Sequence, residues 1–367
     1  MSARRKPAKS PLRLGALRTK IDQLDERIQT LISERAQCAQ EIATTKQQAG
    51  EASFYRPERE VDVLRRVIAR NQGPLSSEEM ARLFREIMSA CLALEMPMQI
   101  AFLGPEGTFT QAAALKHFGH SVHTAPLAGI DEVFREVESG AAQFGVVPIE
   151  NSTEGVINHT LDMFVNSPLR ICGEVELRIH HHLLGKAKTL KKIKRVLSHQ
   201  QSLAQCREWL DSKLPGVERV AVASNAEAAR LAAKDASVVA IAGSSAAEIY
   251  RLNVLASNIE DEPDNTTRFL IIGRFDPLPS GDDKTSLLVS GKNRAGSLMS
   301  LLAPLARHRI NMTRIESRPA RRGLWEYVFF VDIDGHMQDP TLRKAIAELE
   351  KEASFLKWLG SYPRAVL

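Results

Sequence analysis

Apolar residues recur at Leu17, Ile21, Leu24, Ile28, Leu31, Cys38 and Ile42, in steps of mostly four and three that put them on one stripe of a long helix. The stripe skips at Arg35. A guanidinium in an apolar seam is costly unless an anion pairs with it. Lys46 follows eleven residues on, about three turns and roughly 16 Å along nearly the same face, so both cations can converge on one anion. Arg18 lies about 25 Å from Arg35 on another face and is expected to reach the matching site of a second chain. Pro57 opens a second helix, running to about Asn71, in which Glu60 heads a stripe with Leu64 and Val67; Gly73-Pro74 ends it. Ser76 and Glu79 form a capping box for a third. Its expected inner face is Met80, Phe84, Ile87 and Cys91, with Glu95 one turn further. These three helices predict an all-α domain whose buried faces carry cations and carboxylates, or, more plainly, a helical dimerisation module with a few buried ion pairs.

Beyond Met96-Pro97 the periodicity changes to alternating strands and helices. Strands are expected at 100–103, at RVLSH (195–199) before a helix over 201–213, at RVAVA before 225–234, at VVAIAG before 244–252, and at 268–273. Ser224 and Glu227 form another capping box. Such alternation predicts an α/β domain with mostly parallel sheet and ligands at the strand C-terminal ends. The central stretch is 145–162, where a short strand stops at Pro148 and sets out Glu150, Asn151, Ser152 and Thr153 before Gly155 and a new helix. Unpaired N–H groups at a helix start, with short polar side chains beside them, suit an anion; an ordinary capped loop is the plainer reading. The Gly-rich loop at 104–107 is GPEG, which is neither a P-loop nor GxGxxG. In the run His180, His181, His182, strand alternation lets only the first and last share a face, and no further ligand is spaced to complete a metal site.

After a polar linker at 275–283 the order is strand 284–290, helix 296–308, strands 310–318 and 324–333, helix 339–352 and strand 355–361. This βαββαβ order is ferredoxin-like. A unit of that size seldom holds an active site alone.

Composition narrows the classes without naming one. The 367 residues suffice for two or three domains, and 44% hydrophobic with 25% charged residues is ordinary for a globular chain. No apolar run is long enough to span a bilayer, and the basic first eleven residues lack the apolar core of a signal peptide. Cys38, Cys91, Cys172 and Cys206 form no CxxC pair, so a reducing cytoplasm is expected. Of a net charge of +5, residues 1–96 carry an excess of four, 17 Lys and Arg against 13 Asp and Glu. The signs alternate without a basic block or interleaved aromatics, so a small anion is favoured over nucleic acid.

Three resemblances follow from these residues. Residues 10–96 resemble the AroQ-type chorismate mutases, all-helical homodimers. The resemblance implies that Arg18 from the partner chain, Arg35, Lys46, Arg59 and Glu60 bind substrate, with Lys46 and Glu95 at the ether oxygen. Arg56 stands where well-known members have aspartate, Cys91 where they have serine, and Glu95 where Gln or Glu occurs. Residues 98–275, with GPEG, PIENSTEG (148–155), SHQQSLAQC (198–206) and NTTRF (265–269), resemble the prephenate dehydratases, of two α/β lobes like a periplasmic binding protein. That implies a cleft with Thr267 as hydrogen-bond donor, Phe269 beside it, and Glu150, Asn151, Ser152, Thr153, His199 and Gln201 lining it. Arg268 is the candidate carboxylate anchor, although strand alternation turns it opposite to Thr267. His199-Gln200-Gln201 replaces a frequent His-Pro-Gln. Residues 284–363 resemble ACT regulatory domains. Glu316, Ser317, Arg318 and Pro319 match ESRP, and Gly296, Ser297, Leu298 and Met299 replace the GAL(V) loop, with Ala295 where Pro is usual. The order resembles the bifunctional P-proteins. It implies a cytoplasmic homodimer or larger homo-oligomer that acts on chorismate and prephenate, answers to L-phenylalanine, and needs no cofactor or metal. Nucleic acid and membrane are not expected partners. The alternative is a non-catalytic amino-acid sensor, since two-lobed and ACT folds also serve as receptors.

Overall fold

The computed structural model describes residues 11–49, 55–153, 155–292, 294–319 and 327–366. The basic tail, Glu154 and the first part of the expected strand 324–333 lie outside the described residues. Helix α1 (Pro11–Gln48) is about 57 Å long. Only its C-terminal part packs inward, through Ala39 and Ala43, while the stripe from Leu17 to Leu31 is exposed. α2 (Pro57–Arg70) buries Leu64 and Val67 as expected. In α3 (Ser77–Glu95) Ser76 accepts from the Glu79 N–H at 3.1 Å, completing the cap. Cys91 is buried on the expected face, where Met80, Phe84 and Ile87 are only half-buried, but α3 buries a second face of Ala81, Arg85 and Ser89. That face packs on the middle domain so closely that a Cβ on Gly119 would lie 2.5 Å from Ser89 Cβ. Small side chains permit this approach, and an apolar-periodicity reading passes over them.

The middle domain begins with β1 (Gln99–Leu103), α4 (Phe109–Phe118), β2 (His123–Leu127), α5 (Ile130–Ser139), β3 (Phe144–Asn151), β4 (Gly155–Val156), α6 (Asn158–Asn166) and β5 (Arg170–Arg178). The chain crosses at 179–181 to a second lobe of β6 (His182–Gly185), β7 (Arg195–Ser198), α7 (Gln200–Gln205), α8 (Arg207–Lys213), β8 (Glu218–Ala221), α9 (Asn225–Ala232), β9 (Val238–Ala242), α10 (Ser244–Ile249) and β10 (Asn253–Ala256). It returns through 257–265 to β11 (Thr266–Gly273) in the first lobe. The sheets run β2-β1-β3-β11-β5 and β10-β6-β9-β7-β8. Both are mixed, not mostly parallel. The returning β11 inserts antiparallel between β3 and β5, and β6 runs antiparallel to β9. β3 also continues through Pro148. The register slips there, where Phe269 pairs with Pro148 and Arg268 with Glu150, and such a bulge accommodates the missing N–H. The expected helix 201–213 breaks at Cys206.

The C-terminal domain follows the expected order: β12 (Asp283–Gly291), α11 (Ser297–Arg307), β13 (Met312–Pro319), β14 (Tyr327–Asp334), α12 (Pro340–Glu352) and β15 (Ala353–Pro363), in a sheet β13-β14-β12-β15. One face of the sheet packs on its own helices through Leu287, Val289, Leu301, Leu305 and Ile346. The other shares a core with the first lobe, where Leu288, Phe330, Leu359 and Tyr362 meet Ile149, Phe164, Ile171 and Leu270. No described helix is long and apolar enough to cross a membrane.

Candidate active sites

The last three turns of α1, the start of α2 and the end of α3 enclose a pocket of about 910 Å³, part of it open to solvent. Arg35, Lys46, Arg56, Arg59, Glu60, Cys91 and Glu95 all line it, with Ile42, Val63, Met88 and Leu92 as apolar wall. Arg35, Ala39, Ile42 and Lys46 recur at helical spacing, so one face of α1 supplies two cations across small residues. Arg59 also pairs with Asp62 at 3.1 Å. Burial holds the Glu60 carboxyl above its usual range, opposed by Arg85 and by a hydrogen bond from Tyr55. Burial likewise raises Glu95, opposed by Lys46 and Arg35. Four cations against two carboxylates suit a small dianion. Arg18 is exposed on α1 and does not line this pocket.

A second cavity of about 1050 Å³, partly open, lies between the lobes. Of the expected residues it takes Asn151, His199, Gln201, Thr267 and Phe269. Asn151 Nδ2 donates to Thr267 Oγ1 at 2.8 Å and to Asn265 Oδ1 at 2.7 Å, while its Oδ1 accepts from the Thr153 N–H at 3.0 Å. The amide orientation is therefore fixed. Thr267 Oγ1 accepts one bond and keeps its own proton to donate into the cleft. Asn265 Nδ2 donates to Gln205 Oε1 at 3.1 Å, which also receives His181 Nε2 at 2.8 Å. His181 is buried, and burial lowers its pKa, so it is held neutral with the proton on Nε2. The turn at His199 is pinned without a proline: Asn225 Oδ1 accepts from the His199 N–H at 3.1 Å, and Asn225 Nδ2 donates to Ser202 Oγ at 2.9 Å.

Sequence reasoning did not nominate His181, Gln205, Asn225 or Asn265 as cleft residues. Gln205 stands one helical turn after Gln201, a signal that was available. His181 and Asn265 lie on the two crossings between lobes, and only the fold brings those segments together. The histidines take separate partners: His180 pairs with Glu260 at 2.8 Å, His181 faces Gln205, and His182 accepts from the Asn258 N–H at 3.2 Å. GPEG is an interlobe contact, in which Tyr250 donates to the Glu106 carbonyl at 3.0 Å and Gly107 (φ 85°) passes against Ala246.

Two expected cleft residues turn the other way. Arg268 Nε meets Glu174 at 2.8 Å, Nη1 meets Asp332 at 2.7 Å and Nη2 meets the Tyr362 hydroxyl at 3.0 Å, all in the contact with the C-terminal domain. Burial opposes its charge, but Tyr362, Asp332 and Glu174 outweigh that and hold its pKa up. Glu150 pairs with Arg314 at 2.9 Å. The cause in both cases is strand alternation, which gives Thr267 and Asn151 to the cleft and their neighbours to the opposite face. Ser152 and Thr153 form the turn above the cleft and do not line it: Ser152 Oγ accepts from the Thr266 N–H at 2.9 Å.

In the C-terminal domain, β12 and β13 are both antiparallel to β14, so the turn at Gly296, Ser297, Leu298 and Met299 and the strand end at Glu316, Ser317, Arg318 and Pro319 share one end of the sheet. Gly296 has φ 79°, which glycine adopts without strain. Leu298 and Met299 are exposed, and β13 is an edge strand. Arg318 is not turned to that sheet end alone: its guanidinium reaches Asp162 on α6 at 2.9 Å.

Comparison with known proteins matches these regions in order. The Chorismate mutase type II family model covers residues 17–96, Prephenate dehydratase residues 100–277 and the ACT domain residues 285–351. A bifunctional chorismate mutase/prephenate dehydratase of Stutzerimonas stutzeri is 60% identical over 359 residues, 96% of this chain and 98% of that one. Its counterpart from Pseudomonas aeruginosa is 59% identical with the same coverage. The solved prephenate dehydratase of Arthrobacter aurescens in complex with L-Phe is 37% identical, with a TM-score of 0.68, over 73% of this chain and 90% of that one. Three matched segments in one order, on a chain nearly coextensive with those relatives, carry one conclusion: the chain belongs to the bifunctional chorismate mutase/prephenate dehydratase family.

Proposed function

We propose that the helical pocket is the chorismate mutase site and the interlobe cleft the prephenate dehydratase site of one bifunctional enzyme of phenylalanine biosynthesis. The carrying observation is the separation of two chemistries. Cations and raised-pKa carboxylates converge in the helical pocket, while the cleft lines up neutral donors around Thr267. Rearrangement of chorismate needs neither nucleophile nor metal. Arg35, Arg56 and Arg59, with Arg18 of a second chain, hold the two carboxylates in the reactive conformer, which is catalysis by orientation. Lys46 and protonated Glu95 donate to the ether oxygen as negative charge develops there, and Glu60 accepts from the ring hydroxyl.

Prephenate then loses its ring carboxylate as carbon dioxide, and the released electron pair expels the C4 hydroxyl, which takes up one proton from solvent and leaves as water. Thr267 donates to that hydroxyl, since Asn151 engages one of its lone pairs and orients it while leaving its proton available. Because Arg268 and Glu150 are engaged elsewhere, the pyruvyl carboxylate falls to side-chain and backbone donors near His199 and Gln201. L-Phenylalanine acts as feedback effector at the sheet end formed by 296–299 and 316–319, between paired ACT domains. The exposed apolar stripe of α1 supports a homodimer that brings Arg18 to the second site. Four free cysteines, three of them buried, support a reducing cytoplasmic setting.

The test is to add chorismate to the full-length protein and follow phenylpyruvate by absorbance. Arg35→Ala should abolish prephenate formation and leave dehydration of added prephenate intact, and Thr267→Ala should do the reverse. Loss of both activities in either folded variant would sink the two-site reading; a folded wild-type protein with neither activity would favour a sensor.

A further inference from the structure

We infer that the dehydratase domain positions the mutase carboxylate Glu60, through Tyr55 and Arg85, so that the two catalytic units are not independent in this chain. The inference rests on reading the helical pocket as the mutase site. Tyr55 lies just before α2, yet its ring is buried in the first-lobe core, with ring centroids 5.5 Å from Phe118 and 5.2 Å from Phe144. Its hydroxyl meets His117 Nε2 at 3.2 Å and hydrogen-bonds Glu60. Arg85, on the buried face of α3, lies 3.7 Å from Glu60 and donates to the His117 carbonyl. Two arms from one residue at the end of α4 therefore close on one carboxylate. Tyr55 and Glu60 also form the partition between the mutase pocket and a narrow crevice, open to solvent, where all three domains meet.

The chemistry of the bridge is directional. An ionised Glu60 only accepts, so the Tyr55 hydroxyl donates to it and must in turn accept from His117 Nε2. Burial, with Arg85 nearby, drives the His117 pKa down to about 3, so the ring stays neutral and can hold that proton. Without His117 the Tyr55 hydroxyl loses one partner, and without Tyr55 the Glu60 carboxylate loses its fixed donor. In either case Glu60, still beside Arg85, is held less firmly toward the substrate hydroxyl. A bond present in both ground and transition states is felt in KM before kcat. Tyr55, His117 and Arg85 are thus positioning residues.

The experiment uses the full-length protein, assayed separately with chorismate and with prephenate, as Tyr55→Phe, His117→Leu, the double variant and Glu60→Ala. His117 lies in the dehydratase domain outside its cleft, so dehydration of prephenate is the folding control. Each single variant should raise the mutase KM about tenfold, with kcat little changed and dehydratase kinetics intact. The double variant should be no worse than either single one, because both remove the same bridge. A wild-type mutase KM in Tyr55→Phe, or additive losses in the double variant, would overturn the proposal. Tyr55→Phe removes one oxygen and keeps the packed ring, so it decides alone if His117→Leu does not fold. Wild-type mutase kinetics in Glu60→Ala would instead refute the site reading on which the proposal stands.

Discussion

Thr267 and Arg268 are consecutive in β11, and they serve different compartments. Thr267 takes its hydrogen bond from Asn151 in the interlobe cleft, while Arg268 is locked between Glu174 of β5 and Asp332 of the C-terminal domain. The neighbouring strand repeats the arrangement, with Asn151 in the cleft and Glu150 on Arg314. Lys284 adds a further bond to Glu174 at 2.9 Å. The effector domain thus grips the backs of the two strands whose fronts carry the dehydratase donors. A shift of that domain moves the backbone under Thr267 without any intervening element.

Asp332 is the partner whose loss should expose this coupling. Burial opposes its charge, but Arg268 and Ser286 more than compensate and hold its pKa down. Asp332→Ala leaves Arg268 buried with one carboxylate fewer, which should cost about 3 kcal/mol of stability. It should also weaken inhibition of the dehydratase by phenylalanine. Urea unfolding and an inhibition curve measure the two effects. An unchanged inhibition constant in a destabilised protein would mean that the contact fastens the domains without transmitting anything.

The C-terminal domain should not come away cleanly. Leu288, Phe330, Leu359 and Tyr362 complete the core of the first lobe, so deleting residues 276–367 would uncover apolar surface and strand the charges of Arg268, Glu150 and Asp162. A truncated chain is expected to aggregate, or to melt well below the full-length protein. A soluble truncation with wild-type melting would show that this packing contributes little.

What could be read beforehand was local. The strict α1 seam exposed Arg35 by its absence of apolar character, and Lys46 followed from helical geometry. Thr267 came with a short motif on a strand. The second buried face of α3 has no apolar periodicity to announce it, because Arg85 and Ser89 are buried against His117 and Gly119 of a domain that the helix itself does not specify. The insertion of β11 between β3 and β5 pairs residues 88 to 127 positions apart, and no periodicity announces it. His181 and Asn265 are cleft residues only because the two interlobe crossings run side by side. Arg268 and Glu150 show the converse. Alternation already turns Arg268 away from Thr267, whereas Glu150 is expected in the cleft and sits instead on Arg314; in both cases the partner belongs to the C-terminal sheet, which neither strand specifies.

His117 should make the protein acid-sensitive. In the folded chain it binds a proton only near pH 3, against 6.5 for an unperturbed histidine. Between those values the unfolded chain holds the extra proton, so stability falls as pH falls through that window. At pH 5 the loss from this residue amounts to about 2 kcal/mol. His117→Leu removes the titration, and its melting temperature should fall less between pH 7 and pH 5 than that of the wild type. Parallel pH curves for the two proteins would mean that His117 is not held neutral in the fold.

Glu95 should set the alkaline limb of the mutase reaction. Burial disfavours its charged form and raises its pKa, while Lys46 and Arg35 pull the other way and lose. A carboxyl beside the ether oxygen helps only while protonated. Once ionised it cannot donate, and it repels the negative charge that develops there as the bond breaks. Mutase activity should therefore decline as pH rises through the Glu95 pKa in the complex. The dehydratase, whose cleft does not contain Glu95, need not follow that curve. Glu95→Gln keeps the shape and offers an N–H donor at every pH, so its mutase profile should stay flat where the wild type falls. Full pH profiles of kcat/KM for both proteins decide the matter. If the two superimpose, Glu95 is not the donor, and Lys46 carries the charge on the ether oxygen by itself.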